Sequence, residues 1–534
     1  MERKPSCKKR YRFRMIAPVY PAFNIYSNIA SRTTALGPVY VITAVNKMAG
    51  WDAEMIDENN LRLHGPKSRS GGADHEFLQR QRPADVVGLY GGLTSTIPRL
   101  YQLAGFYKNN GVVTIAGGQH FVGENVLEAL THGIDYIVFG EGEEAIQELL
   151  QAIEGKRDIA QVKGIAFFKN GELVYTPSRE PFLNFDHLPM PDFSLVRYAK
   201  IKLYPVERIR GCGMDCEFCT VKGKPRAGNI DRFLEQIKLL VETRDARHFF
   251  IVDDLFGQRR DETIQLCRQL RDYQRSIRLR LDFTAQIRLD KANDKELLSS
   301  MREAGINSVA IGFESPIEEE LKAMNKHLKP EDMLSLTKIF RQHGFLVHGM
   351  FIFAYPGEDG TAFNMSAKER VRRYKRFIRK ADLDTIQILN PIPLPGTQLR
   401  ERLQRQNRIY PLKDVGWEYY DGNFPVFEPD PPLSTEEAQV SARKIMVSFY
   451  RFRYFFKIGL NILLFPAIAF FLTDIKKGWR TWYRLWRNDL VRFNGWIIIK
   501  KWNRNFQKDR FCERLQSAVR YRQIFFNKEV EDSK

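Results

Sequence analysis

The chain has 534 residues, 43% of them hydrophobic, with a formal net charge of +19 and only six cysteines. That length holds roughly three domains of ~150 residues, and the apolar fraction rules out a disordered or fibrous chain. The excess of cations calls for a polyanionic partner, either nucleic acid or an anionic membrane face, and the scarcity of cysteine argues against a disulfide-stapled secreted scaffold.

The fold class expected is α/β, with a doubly wound parallel sheet first. After a basic start, residues 12–17 read as a buried strand ending at Pro18. Helices follow near 38–48, 76–81, 97–109 and up to 153, alternating with strands at 53–56, 85–90, 112–116 and 136–139. Strands alternating with helices specify a parallel sheet. Ligands of such sheets bind beyond the carboxyl ends of the strands, here the loops at Pro18, Gly91-Gly92, Gly117-Gly118-Gln119-His120 and Gly140-Glu141-Gly142. Glycines there let backbone approach a large ligand. No G-x-G-x-x-G is present, so a dinucleotide fingerprint is absent.

Residues 162–176 alternate apolar and polar about Lys169-Asn170-Gly171, a hairpin signal, within a proline-bearing linker over 155–200. From 201 to 400 six more strand and helix units are expected, with strands at 206–209, 249–252, 280–284, 308–312, 347–353 and 385–389. Six units make a partial barrel, whose chemistry belongs at the carboxyl mouth.

The loop after the first of these strands reads Arg210-Gly211-Cys212-Gly213-Met214-Asp215-Cys216-Glu217-Phe218-Cys219. Three thiolates on one short loop converge on a soft metal centre, and three without a fourth leave a coordination position open. An open position is a reactive one. A structural zinc knuckle would want a fourth ligand nearby, and the next candidates, His248 and Cys267, fall in an expected strand and helix.

C-x3-C-x2-C with an aromatic before the last cysteine resembles the radical S-adenosylmethionine superfamily. The resemblance implies that Cys212, Cys216 and Cys219 bind a [4Fe-4S] cluster whose free iron is chelated by S-adenosylmethionine, with reductive cleavage to a 5′-deoxyadenosyl radical. It also implies S-adenosylmethionine contacts from Phe218 in the loop, Asp253 and Asp254 at the second strand's end, Gln286 and Arg288 at the third, Glu314 and Ser315 at the fourth, and Gly349 in the fifth. Each has a structural alternative: Phe218 as a loop anchor, one of the two aspartates as a helix cap, Arg288 in a surface ion pair.

The Asp85 to Gly88 strand with the Gly117 and Gly140 loops is similar to the cobalamin-binding domain fused to one class of these enzymes, and covers about 12–154. That resemblance implies corrinoid contacts from Pro18, Gly91, Gly92, Gly117, Gly118, His120, Gly140, Glu141 and Gly142. The D-x-H-x-x-G of cobalamin mutases is missing, so His120 is either a cobalt ligand or a loop-structural or phosphate-contact histidine.

Residues 401–450 carry Trp417, Tyr419, Tyr420, Phe424 and Phe427, which either line an apolar substrate site or pack a cap. Residues 451–534 hold 19 Lys and Arg against 7 Asp and Glu, and five of the seven tryptophans. The apolar run 458–472 is short for a spanning helix, which needs ~20 residues. Tryptophan among cations is the composition of a membrane interface; a buried helix with a basic face, or a base-stacking nucleic-acid surface, are the alternatives.

The domain order resembles the group containing hopanoid methylases and the anaerobic magnesium-protoporphyrin ester cyclase. The expectation is a cobalamin-dependent enzyme methylating an unactivated carbon of a lipid or other apolar substrate, fed by a flavodoxin- or ferredoxin-type electron donor, in the cytoplasm and peripheral to the inner membrane face. Ring closure, tRNA modification, and a non-catalytic cluster and corrinoid sensor are the rivals.

Overall fold

A computed structural model describes residues 11–69, 71–358, 364–471 and 475–518, the side chains of 464–485 excepted. The basic residues 1–10 and the aromatic pair Trp479 and Trp482 lie outside this description.

The first sheet is built on Tyr11–Ala17, which pairs in parallel with Trp51–Asp57 on one side and Val86–Tyr90 on the other. Val113–Gly117 and Tyr136–Val138 extend it beyond Val86–Tyr90. Because the chain reverses direction across the sheet between Tyr11–Ala17 and Val86–Tyr90, the crevice beyond their carboxyl ends is the topological switch point where such folds take ligands. Leu36–Asn46, Ile97–Asn109 and Gly142–Ile153 supply helical cover.

The 155–200 segment is more than a linker. Its hairpin, Ile165–Lys169 with Glu172–Tyr175, adds antiparallel to Tyr136–Val138, and Val196–Arg197 pairs with the opposite edge. Both exposed edges of the first sheet are thereby covered, which a single strand's pattern could not reveal.

The second sheet is six-stranded and wholly parallel, in the order Thr385–Leu389, Leu346–Ile352, Ile306–Glu314, Asp282–Ile287, His248–Phe256 and Tyr204–Val206. It is the expected partial barrel. Ala367–Ala381 covers its far end and buries Tyr374, Phe377 and Ile378 while its charged face stays wet. Arg370 on that helix is fully buried against Glu320, and Glu320 is in turn bonded by Ser315 and the Tyr374 hydroxyl.

The aromatic segment packs a cap: Tyr420 and Phe424 are inaccessible, Tyr419 stacks on Phe23, and Phe424 stacks on Phe506. It joins the first domain's 18–26 loop to the C-terminal helices. Those helices, Arg453–Phe471 and Ile475–Lys508, pair with each other, and the second buries Trp502 and Phe506 against the cap. Among the described residues no helix is long and apolar enough to cross a membrane.

Candidate active site

The cysteine loop leaves the barrel through Ile209–Arg210 and returns through Arg226–Ala227, and these two short strands pair antiparallel. Gly211 and Gly213 take left-handed φ of +91° and +72°, and a Cβ on Gly211 would sit 2.8 Å from the Lys224 carbonyl oxygen. Glycine there is a steric requirement of the turn. The loop is then held at every step: the Gly211 N–H donates to Asp254 Oδ2 at 2.6 Å, Gln258 Nε2 donates to the Cys212 carbonyl, Asn325 Nδ2 donates to that of Asp215 at 2.8 Å, and the Glu217 N–H donates to the Met324 carbonyl at 3.1 Å.

All three cysteines line one cavity of about 150 Å³ at the barrel's carboxyl mouth, with Phe218, Asp254, Gln286, Arg288, Glu314 and Lys326. Among the described residues no three His, Cys, Asp or Glu side chains approach closely enough to chelate a single ion. Three thiols that share one cavity suit a cluster, in which each sulfur takes its own iron. Burial pushes all three thiols up, while the Lys326 ammonium draws Cys216 back down. Metal binding to such a set releases protons.

Glu314 reaches the cavity by a local distortion. The register of Ile306–Glu314 shifts between Gly312 and Glu314, and Glu314 has φ +59°. A bulge re-aims a side chain, and a left-handed non-glycine residue stores ~1–3 kcal/mol that its surroundings must offset. Glu314 Oε1 lies 2.9 Å from Lys326 Nζ, and a Cβ at Gly312 would fall 2.3 Å from that same oxygen. The glycine makes room for the carboxylate. Arg288 donates to Asp290 at 3.1 Å and to Met214 Sδ at 2.9 Å, so one guanidinium edge is tied to the loop.

Three expected S-adenosylmethionine residues do not line this cavity. Asp253 is buried behind it, its Oδ1 accepting from the backbone N–H groups of Arg208 at 2.6 Å and Ile209 at 2.9 Å, so it braces the loop's first strand. Ser315 points into the Glu320, Arg370 and Tyr374 network. Gly349 abuts the outer layer, where a Cβ would lie 2.6 Å from Leu383 Cδ1. Lys326, Asn325, His327 and Met350, which the sequence reading passed over, are in the lining.

Burial raises the Asp253 carboxyl to about 7. The folded state then keeps a proton that the unfolded chain releases near 3.8, so stability falls as pH rises from about 4 to 7, by up to ~1.4 kcal/mol per pH unit. Asp253→Asn keeps the acceptor oxygen and is expected to flatten that limb of a melting-temperature series against pH; an unchanged slope would place the proton elsewhere.

A second cavity, of about 260 Å³, opens at the carboxyl edge of the first sheet. Its walls are Phe13, Met15, Gly88, Ile115, Pro38, Val41 and Ile146, and its rim is Gly117, Gly140, Glu141, Gly142 and Glu143. An apolar slot entered past glycines fits the buried arm of a large, edge-bound ligand such as a corrinoid. Gly118 also lines it, but with φ +133° its missing Cβ would lie 2.4 Å from the Gly91 carbonyl carbon. At Gly91 a Cβ would meet the Phe121 ring at 2.4 Å, and at Gly92 the Tyr90 ring at 2.2 Å. These two glycines serve loop packing and lie outside the cavity. Pro18 lines a smaller neighbouring cavity with Tyr20, Asp57 and Tyr90.

His120 is inaccessible to solvent, with its ring edge-on to Trp417 at 4.8 Å and Nδ1 3.5 Å from Thr94 Oγ1. Burial, helped by Arg400, depresses its pKa to about 3. It packs against the cap, its buried Nε2 makes no hydrogen bond, and it is not in the lining of the apolar slot.

Glu207 and Arg210 of the barrel help line the first domain's slot, and Arg210 stands two residues before Cys212, which lines the other cavity. On the other arm, Thr220 beside Cys219 donates to Gln119 Oε1 of the glycine loop at 2.9 Å.

Two family models match the chain, the B12 binding domain over residues 25–150 and the radical SAM superfamily over 206–369. An uncharacterized methyltransferase of Pyrococcus horikoshii is 28% identical over 68% of this chain and 78% of its own length. The hopanoid C-2 methylase of Rhodopseudomonas palustris is 25% identical over 52% of this chain and 50% of its own. The radical S-adenosylmethionine methyltransferase TsrM from Kitasatospora setae, solved with cobalamin and a [4Fe-4S] cluster, superposes with a TM-score of 0.63 at 16% identity, over 90% of this chain and 99% of that one, a likeness of fold. With an apolar slot at the carboxyl edge of the first sheet, a three-cysteine cavity at the barrel mouth, and both domain models matched in that order, this chain is an enzyme that belongs to the cobalamin-binding-domain class of the radical S-adenosylmethionine superfamily.

Proposed function

We propose that this enzyme methylates an unactivated carbon of an apolar, membrane-resident substrate while resting on the membrane surface. The observation that carries the reading is the ion cluster of Arg210 with Glu141 and Glu143, which ties the first domain's glycine loop to the strand leading into the cysteine loop, so that in this reading a methyl carrier and a radical source would be neighbours.

In this reading Cys212, Cys216 and Cys219 hold the cluster. S-adenosylmethionine lies against Phe218, Asp254, Gln286, Arg288 and Glu314, with Arg288 offering a guanidinium to its carboxylate and the Glu314 and Lys326 pair offering both charges. Gly117, Gly118, Gly140, Glu141 and Gly142 cradle cobalamin at the sheet edge. With electrons from a flavodoxin- or ferredoxin-type donor, the bound cofactors would supply a transferable methyl and a hydrogen-atom abstraction that no side-chain acid or base can match at such a C–H bond. The protein's own contribution is to seat the cysteine loop rigidly at the barrel mouth.

Support for the substrate class comes from the paired C-terminal helices. Phe452, Phe455, Phe456, Phe493 and Trp496 cluster with rings 5.0–6.2 Å apart. Phe456 is 62% exposed and Leu463 80% exposed. Arg451, Arg453, Lys457, Lys500 and Lys501, all exposed, rim that patch. A contiguous apolar surface bordered by cations fits an anionic membrane at the inner face, lying on it rather than crossing.

The test joins two measurements. Anaerobically reconstituted enzyme is expected to float with anionic vesicles and to release 5′-deoxyadenosine with dithionite, and lipid extracts of a deletion strain are expected to lack one methylated species. A mass change of two hydrogens would replace methylation by ring closure. Retention of tRNA, with no flotation, would sink the lipid reading.

A further inference from the structure

We propose that Arg210 and Glu141 couple the two cofactor sites, so that the cluster tightens cobalamin binding and cobalamin protects the cluster; this rests on the cofactor assignment above. Arg210 carries three carboxylates at once: Glu141 at 3.0 Å and Glu143 at 2.8 Å, both from the first domain's last strand-to-helix turn, and Glu207 at 2.6 Å. Its guanidinium lies over the rings of Tyr40 of the first domain at 5.2 Å and Phe185 of the 155–200 segment at 4.7 Å. Glu141 also takes Arg226 at 3.0 Å.

Arg210 and Arg226 are register partners in the two-stranded base of the cysteine loop. One carboxylate of the corrinoid domain therefore holds both arms of the loop that carries the three thiols. Arg210, Glu141, Glu143 and Glu207 also face the apolar slot. A ligand seated there bears directly on the ion cluster.

Between Arg210 and Cys212 there is no slack, because Gly211 is pinned by Asp254 and by the Lys224 backbone. Closing the cysteine loop around a cluster fixes the Arg210 and Arg226 ladder, and thereby the Glu141 wall of the slot. Mostly buried charges tolerate few arrangements, since an unpaired one is costly. An element with few permitted arrangements, biased from both sides, is what carries a coupling free energy.

Linkage makes the test quantitative, because each cofactor must change the other's affinity by the same factor. Hydroxocobalamin is titrated into the full chain before and after anaerobic iron and sulfide reconstitution. Reconstituted protein is expected to bind at least ~5-fold more tightly, the low end of ordinary coupling, and added hydroxocobalamin is expected to slow iron loss to a chelator. In Arg226→Gln, which removes the Glu141 pairing without touching either cavity's lining, the ratio is expected to fall toward one while both cofactors still load, with Arg226→Met as the second variant should the first fold poorly. Equal affinity with and without the cluster in the wild type overturns the coupling and leaves the cofactor assignment intact. A ratio unmoved in a folded variant overturns the role of the ion cluster. Failure of hydroxocobalamin to bind either form overturns both.

Discussion

Cys216→Ala is expected to abolish reductive cleavage of S-adenosylmethionine and the cluster's visible absorption, whereas Cys267→Ala and Cys512→Ala leave both in place. Losing a ligand should exceed the ~10–100-fold that altering a ligand's neighbours costs in metal affinity. The controls are well separated in character. Cys267 is fully buried among core side chains on Arg260–Ser276, and Cys512 donates to Gln439 at 2.7 Å among the C-terminal helices. Burial pushes both thiols up to about 12, so neither is a ready thiolate. Iron and sulfide content, with 5′-deoxyadenosine release, checks all three variants. Equal loss in Cys267→Ala would mean that the effect is one of folding, not ligation.

Much of this site could be read before any coordinates. The helix Ile97–Asn109 and the strand Thr385–Leu389 fall where periodicity puts them, because each is a long or strongly patterned segment flanked by turn residues. The cysteine triad is local in sequence, so its convergence needs no tertiary information.

What could not be read depends on partners far along the chain. Glycines 91 and 92 signal close approach, but sequence does not say whether the approaching group is a ligand or, as here, the rings of Phe121 and Tyr90. Asp253 and Asp254 are adjacent and chemically identical; strand alternation turns one to the cavity and one to the loop's backbone. Lys326 sits twelve residues beyond Glu314 in a charged stretch, and only the chain's return past the bulge at Gly312 pairs them. The tail's tryptophans divide, since Trp502 is buried against the cap while Trp496 joins the exposed aromatic patch. A composition argument averages over that division.

Arg402→Leu is expected to cost heavily in stability. Glu217 lies inside the cysteine loop, between Cys216 and Phe218, and its carboxylate receives Arg402 through Nε at 2.5 Å and Nη2 at 2.8 Å, a two-point pairing, with the Tyr355 hydroxyl donating at 2.6 Å. Arg402 also donates to the Gly357 carbonyl at 2.6 Å, and the Leu399 N–H donates to the Glu217 carbonyl at 3.2 Å. The helix Gln398–Arg405, which follows Pro395, Gly396 and Thr397, thus clamps the loop from outside the barrel. The two charged side chains are 9% and 12% exposed. Removing the guanidinium leaves a carboxylate with little water and one hydroxyl, a loss of ~3–5 kcal/mol for a broken buried pair. Removing both charges as Glu217→Met with Arg402→Leu takes away the stranded charge, and such apolar replacements are often close to neutral. The double variant should therefore recover most of the denaturation midpoint. It should not recover the cluster: without the clamp the loop keeps its cysteines but not their rigid seat, and iron per chain after reconstitution is expected to stay low. A double variant that regains stability and full iron content together would show that the cysteine loop holds its own shape, and that Arg402 contributes to folding alone.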